Sequence, residues 1–131
     1  MIVIDTSALV ALLSNEADAD LYEAAIAGAE ESCISAASAL ECTFVLESRY
    51  GEVGSHKLDQ LFLEQGIAVI PFDEEQLLLA RAAFRRFGRG RHPARVNFGD
   101  CFAYALAKQL AAPLLFKGQD FRQTDIESAL A

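Results

Sequence analysis

Two rhythms of apolar positions organise this chain: short unbroken apolar runs, and longer stretches with an apolar residue every three to four places. Ile2, Val3 and Ile4 form an uninterrupted β-branched run, the mark of a strand buried on both faces. Asp5, Thr6 and Ser7 follow at once, and then a run of helix formers to Leu13. Residues 14–20 are polar and read as a turn. Residues 21–29 read as a helix with Leu21, Ala24, Ala25 and Ile26 inward, and residues 32–35 as a short strand. The spacing of Ala37, Leu40, Phe44 and Val45 predicts a helix over 36–50, with Gly51 at its C-terminal cap. A second helix over 53–65 carries Leu58, Leu61 and Phe62 and stops at Gly66.

Residues 67–70 read as a strand. Asp73-Glu74-Glu75-Gln76 has the form of a capping box opening a helix to Phe87. Gly88-Arg89-Gly90-Arg91-His92-Pro93-Ala94-Arg95 breaks all periodicity and reads as a mobile basic loop. Asn97 suits the cap of a further helix to about residue 111, with Phe98, Cys101, Phe102, Ala105 and Leu106 as its stripe. Residues 113–116 form a last core strand, and residues 117–121 a tight turn before a short tail. Strands alternating with helices predict an α/β fold with a parallel sheet and right-handed crossovers, one domain over residues 1–131.

Composition narrows the class. The chain is 53% apolar, yet no apolar run approaches a membrane span. The start is an immediate strand without a basic leader, so a cytoplasmic protein is expected. Cys33, Cys42 and Cys101 form no paired motif and read as small buried hydrophobes in a reducing compartment. His56 and His92 stand apart from any ligand-spaced partner, which speaks against zinc. The net charge of −8 hides an asymmetry: residues 1–80 hold 15 acids against 2 bases, and residues 81–131 hold 9 bases against 4 acids. A local basic field of that kind suits a polyanion despite the acidic whole.

Four acids stand out. Asp5 follows the first strand, where ligands bind in open α/β sheets, although it also suits a helix cap. Glu41 interrupts a helix face of Ala37, Ser38, Phe44 and Val45, so it reads as a buried carboxylate in need of a cation, a proton or a donor. Asp100 lies three places after Asn97, where it can serve the helix start or a cleft equally well. Asp120 follows the last strand as Asp5 follows the first, and a turn aspartate is the structural alternative. Four carboxylates converging at one sheet edge repel unless a cation intervenes. An all-oxygen set favours Mg²⁺ or Mn²⁺, and metal-assisted phosphodiester hydrolysis is the reaction class that follows. Arg89, Arg91 and Arg95, with Lys117, would hold the polyanionic substrate.

The stretches Ile2-Val3-Ile4-Asp5-Thr6-Ser7-Ala8, Ala39-Leu40-Glu41, Asn97 to Ala105 and Leu114 to Phe121 together resemble the PIN-domain ribonucleases, most closely VapC-type toxins of toxin–antitoxin pairs. The resemblance spans the chain in the family's order. It implies a three-layer α/β/α sandwich with a short parallel sheet, and Mg²⁺- or Mn²⁺-dependent RNA cleavage. It also implies a homodimer, and an antitoxin that occupies the cleft. Carried over, Asp5 and Asp100 are the principal metal ligands, and Glu41 and Asp120 hold the metal or orient water. Thr6, Ser7 and Asn97 support them. Many relatives carry a second acid in the last turn where this chain has Gly118, so Asp120 serves alone or Asp125 assists.

Other readings compete. A receiver-like phospho-acceptor domain also places acids at strand ends, with a lysine that Lys117 could mimic. It requires an acidic pair after the first strand, and only Asp5 stands there. A haloacid-dehalogenase-like phosphatase requires an acid at Ser7. A catalytically idle binding module would not need all four acids.

Overall fold

β1 (Ile2–Ile4) lies inside a four-stranded sheet in the order β3-β2-β1-β4, with β2 at Ser32–Ser35, β3 at Ala68–Ile70 and β4 at Leu114–Leu115. The computed structural model describes residues 1–130. Every strand pair is parallel, and Val3 stands opposite both Cys33 and Leu114. β1 to β3 therefore build outward in one direction, while β4 joins β1 on its other side. The sheet reverses its order at the β1–β4 seam, the place where open α/β sheets bind ligands.

Strand alternation divides the core into two faces. Ile4, Ile34 and Leu115 pack against α1 (Thr6–Leu13), α2 (Ala19–Gly28), α3 (Ala36–Tyr50) and α4 (Glu52–Gln65). Val3, Cys33 and Leu114 face the opposite way, toward α5 (Glu74–Phe87) and α6 (Phe98–Leu110). The result is the expected three-layer α/β/α sandwich. The outer side of β4 is covered by the tail: Leu114 N–H donates to Glu127 O at 2.9 Å, and Ala129 N–H returns to Leu114 O at 2.8 Å. That pairing closes an otherwise open sheet edge. All three cysteines are free and buried, as expected.

Several inward faces differ from the periodic reading. In α2 the buried residues are Ala19, Tyr22 and Ile26, and Leu21 turns outward. In α3 they are Ser38, Cys42 and Leu46, whereas Leu40 is 55% and Phe44 64% exposed. The helix is rotated toward small residues because Thr6 Oγ1 donates to Ser38 O at 2.9 Å, drawing α3 close to α1. In α6, Phe98 is 81% exposed, while Cys101, Ala105 and Leu106 are buried. β3 is an edge strand with Ala68 and Val69 exposed. Only half of the capping box at Asp73 forms: Asp73 Oδ1 accepts from Gln76 N–H, but the Gln76 amide turns inward to Pro71 O and Gln109 Oε1.

The 88–95 segment is not the loose loop that its composition suggests. Arg89 N–H donates to Val96 O at 3.0 Å and Val96 N–H to Phe87 O at 2.9 Å. Ala94 and Val96 are buried beneath it. The loop is thus closed by backbone bonds across its base and anchored by two apolar side chains.

Candidate active site

Asp5 leaves the end of β1 and caps α1, so the capping role expected of it is present. Ser7 N–H and Ser7 O–H donate to Asp5 Oδ2 at 3.0 and 2.5 Å. The amide of Lys117, just beyond β4, donates to Ser7 Oγ at 3.0 Å. A relay of hydrogen bonds thereby fixes the Asp5 carboxyl to the seam between β1 and β4, and it engages only one carboxyl oxygen. Thr6 is buried, and its hydroxyl serves the α1–α3 packing rather than the carboxylates.

Asp100 enters from the start of α6. Asn97 Oδ1 accepts from Asp100 N–H and Asp100 Oδ2 accepts from Asn97 N–H, both at 3.0 Å, a complete capping box. The structural reading of Asp100, an acid serving the helix start, is therefore present. The box locks its rotamer, and the side chain remains near Asp5 and Asp120.

Burial raises the Asp5 carboxyl to about 6 against the lowering effect of Ser7, and the charges of Glu41 and Asp120 push it the same way. Burial likewise raises Asp100, assisted by the charges of Asp120 and Asp5 and by a hydrogen bond shared with Asp120. Asp5, Glu41, Asp100 and Asp120 thus act electrostatically on one another as one cluster. Among the described residues no lysine or arginine pairs with any of the four.

One of the acids sits differently from expectation. Glu41 is not buried: the rotation of α3 leaves it exposed at the rim of the cleft. Its carboxylate lies against the first turn of α6, so close to Gly99 that a β-carbon there would overlap it. Asp120 is exposed too, in the turn after β4. Asp125 is too far engaged to assist. It accepts from Tyr104 O–H at 2.7 Å and pairs with Lys108 at 2.8 Å and Arg86 at 3.4 Å, pinning the tail to α6. Gly118 has φ +103°, a backbone conformation that favours glycine over an acid at that place.

The donor set fits a hard divalent cation. All four side chains are carboxylates, and two are held near neutral pH by mutual repulsion and burial. Among the described residues, no three acidic, imidazole or thiol side chains stand close enough together to hold a metal ion by themselves. An all-carboxylate set offers only hard oxygen donors, the kind that divalent cations take.

The basic residues divide. Arg89 and Arg95 line a cavity that also includes Asn97 and Asp120. Arg91 instead stacks on Phe84, 4.8 Å from the ring centre. Lys117 is paired on the protein itself: its ammonium lies 2.6 Å from Glu16 and 3.0 Å from Asp18.

Gly99 and the Lys117 amide were not marked out by the residue pattern. The one available signal was a glycine in the first turn of a helix, where alanine would favour the helix more.

The fold is that of a PIN domain: the PIN-domain model matches residues 2–127, and the chain belongs to that family. Within it the chain belongs with the VapC ribonucleases. Ribonuclease VapC of Mycolicibacterium smegmatis is 52% identical over 124 residues, covering 95% of this chain and 96% of the relative. The crystal structure of VapC20 from Mycobacterium tuberculosis, a Sarcin-Ricin loop cleaving toxin, superposes with a TM-score of 0.79 at 17% identity, covering 96% of each chain. VapBC2 of Rickettsia felis, solved with a DNA fragment from its promoter, superposes at 0.72 with 17% identity over 98% of this chain and 96% of that one. Membership of the PIN family sets aside the receiver-like and phosphatase-like readings.

Proposed function

We propose that the chain is a metal-dependent endoribonuclease, the toxin of a toxin–antitoxin pair, with Asp5, Glu41, Asp100 and Asp120 as its catalytic and metal-holding carboxylates. The observation that carries this reading is the convergence of four acids, without a protein cation, at the sheet's switch point. Asp5 and Asp100 are the inner ligands, held by Ser7 and Asn97. Glu41 and Asp120 close the cleft from its two lips, where they can hold a water in line with the scissile phosphate. Mg²⁺ or Mn²⁺ bound there would polarise the phosphate, lower the pKa of a water and stabilise the leaving oxygen. Arg89 and Arg95 stand beside the carboxylates, where they can draw in the RNA backbone.

The relatives support the partners. An antitoxin segment placing an arginine among the four acids would replace the cation's charge and block substrate, since a guanidinium grips carboxylates in pairs. The exposed Leu40, Phe44 and Phe98, with an apolar groove lined by Phe72, Leu77, Phe84 and Phe102, supply surface for a homodimer or a partner helix. No helix among the described residues is long and apolar enough to cross a membrane; a cytoplasmic site of action agrees with an RNA substrate.

The test is direct. Purified protein incubated with total RNA and Mg²⁺ or Mn²⁺ should give discrete cleaved ends, and a chelator should abolish them. Intact RNA in both metals would refute the reading.

A further inference from the structure

Arg89 and Arg95 share a cavity of about 390 Å³ with Asn97, Gln119, Asp120 and Gln123. Its size lies in the range of sites that take small molecules, larger than a lone anion needs. Asp120 belongs both to its wall and to the carboxylate cluster, so the two are contiguous.

The loop is built to present these two cations. Arg95 has φ +56°, a left-handed conformation that glycine adopts freely and other residues rarely. Arg95 N–H donates to His92 O at 3.0 Å, and Ala94 N–H donates to His92 Nδ1 at 3.0 Å. His92 in turn packs edge-on against Phe87, with ring centres 5.2 Å apart. A strained backbone carrying arginine where glycine would fit points to a requirement for the side chain.

The far wall is chemically different. Gln119 and Gln123 are exposed, and among the described residues neither amide takes part in a hydrogen bond within the protein. Each presents a donor and an acceptor together, the combination needed to read the edge of a base. The cavity thus offers both cationic and amide side chains, with Asp120 of the carboxylate cluster in its wall.

We propose that this cavity is a nucleotide subsite for the RNA residue next to the scissile phosphate, Arg89 and Arg95 holding its phosphate and Gln119 and Gln123 reading its base. The proposal rests on the ribonuclease reading and adds a source of sequence preference to it. Repulsion from Asp120 and attraction to the arginines favour the phosphate beside Arg89 and Arg95.

The test is steady-state cleavage of a fluorogenic oligoribonucleotide set in Mn²⁺, with the cut ends mapped. R89A/R95A should raise KM about tenfold with little change in kcat, and lower the salt slope of binding by about 1.4. R89K/R95K should restore the slope, which a merely misfolded loop would not allow. Q119A/Q123A should leave the salt slope unchanged and flatten the base preference at one position beside the cut. The subsite is overturned if the wild type cleaves while R89A/R95A keeps its KM and slope, or while Q119A/Q123A keeps its base preference. It is equally overturned if the arginine pair affects only binding of an antitoxin peptide. A wild type that cleaves no RNA refutes the ribonuclease reading itself, and the subsite with it.

Discussion

The Glu41 carboxylate rests against Gly99 so closely that no side chain can stand at that position without moving it. α3 and α6 meet at this contact, and it sets how far Glu41 projects over the cleft. Gly99→Ala should therefore displace Glu41 while favouring the helix by up to ~1 kcal/mol. We expect ribonuclease activity to fall about 100-fold, as displacements near 1 Å do in active sites, with Tm maintained. Full activity in the alanine variant would mean that the position of Glu41 is irrelevant to the chemistry.

Asp5→Asn keeps an oxygen for the Ser7 N–H and removes the charge. Growth arrest on overexpression should disappear while the circular dichroism spectrum is retained. A toxic, folded Asp5→Asn protein would exclude Asp5 as a metal ligand. Glu41→Gln should also abolish activity; because Glu41 is exposed, the stability of the metal-free protein should stay unchanged.

The raised carboxyls make the metal-free fold sensitive to pH. Unfolded, Asp5 titrates near 3.8; folded, at about 6. The folded state therefore holds the proton more tightly. That stabilisation is complete below the unfolded value and is lost as pH rises through about 6, and Asp100 shifts in the same sense. Denaturant titrations should find the metal-free protein more stable at about pH 5 than at about pH 8, by on the order of 2 kcal/mol. Asp5→Asn should flatten the dependence, and a wild-type stability that climbs over the same interval would contradict the cluster.

Asp125→Asn should keep the Tyr104 contact and lose the pairing with Lys108 and Arg86, costing about 1 kcal/mol or less. Metal-dependent cleavage should remain at the wild-type level. Loss of metal affinity in that variant would return Asp125 to the active centre.

Much of this was legible in the chain because its signals are local. The apolar run before Asp5, the Asn97–Asp100 spacing and the strand before Asp120 each specify an element and its end, and family resemblance adds their convergence. Orientation about a helix axis was less legible. Leu40 and Phe44 have helical spacing, yet α3 buries Ser38 and Cys42, because close approach to α1 rewards small residues and a Thr6–Ser38 bond. Glu41 followed that rotation outward. The 88–95 loop misled for another reason: its order comes from hydrogen bonds to Phe87 and Val96 and from His92, which composition does not encode. The pairing of Lys117 with Glu16 and Asp18 was not legible, because those acids approach it only in the folded chain.

In the proposed function, Asp5 and Asp100 together hold one metal-dependent hydrolytic centre. It is tested most directly by measuring RNA cleavage rate against Mn²⁺ concentration for the wild type, Asp5→Asn and Asp100→Asn, each checked for folding. The account predicts saturating, chelator-sensitive cleavage by the wild type and no cleavage by either folded variant at any Mn²⁺ concentration. Cleavage by both variants with the wild-type dependence on Mn²⁺ would contradict it.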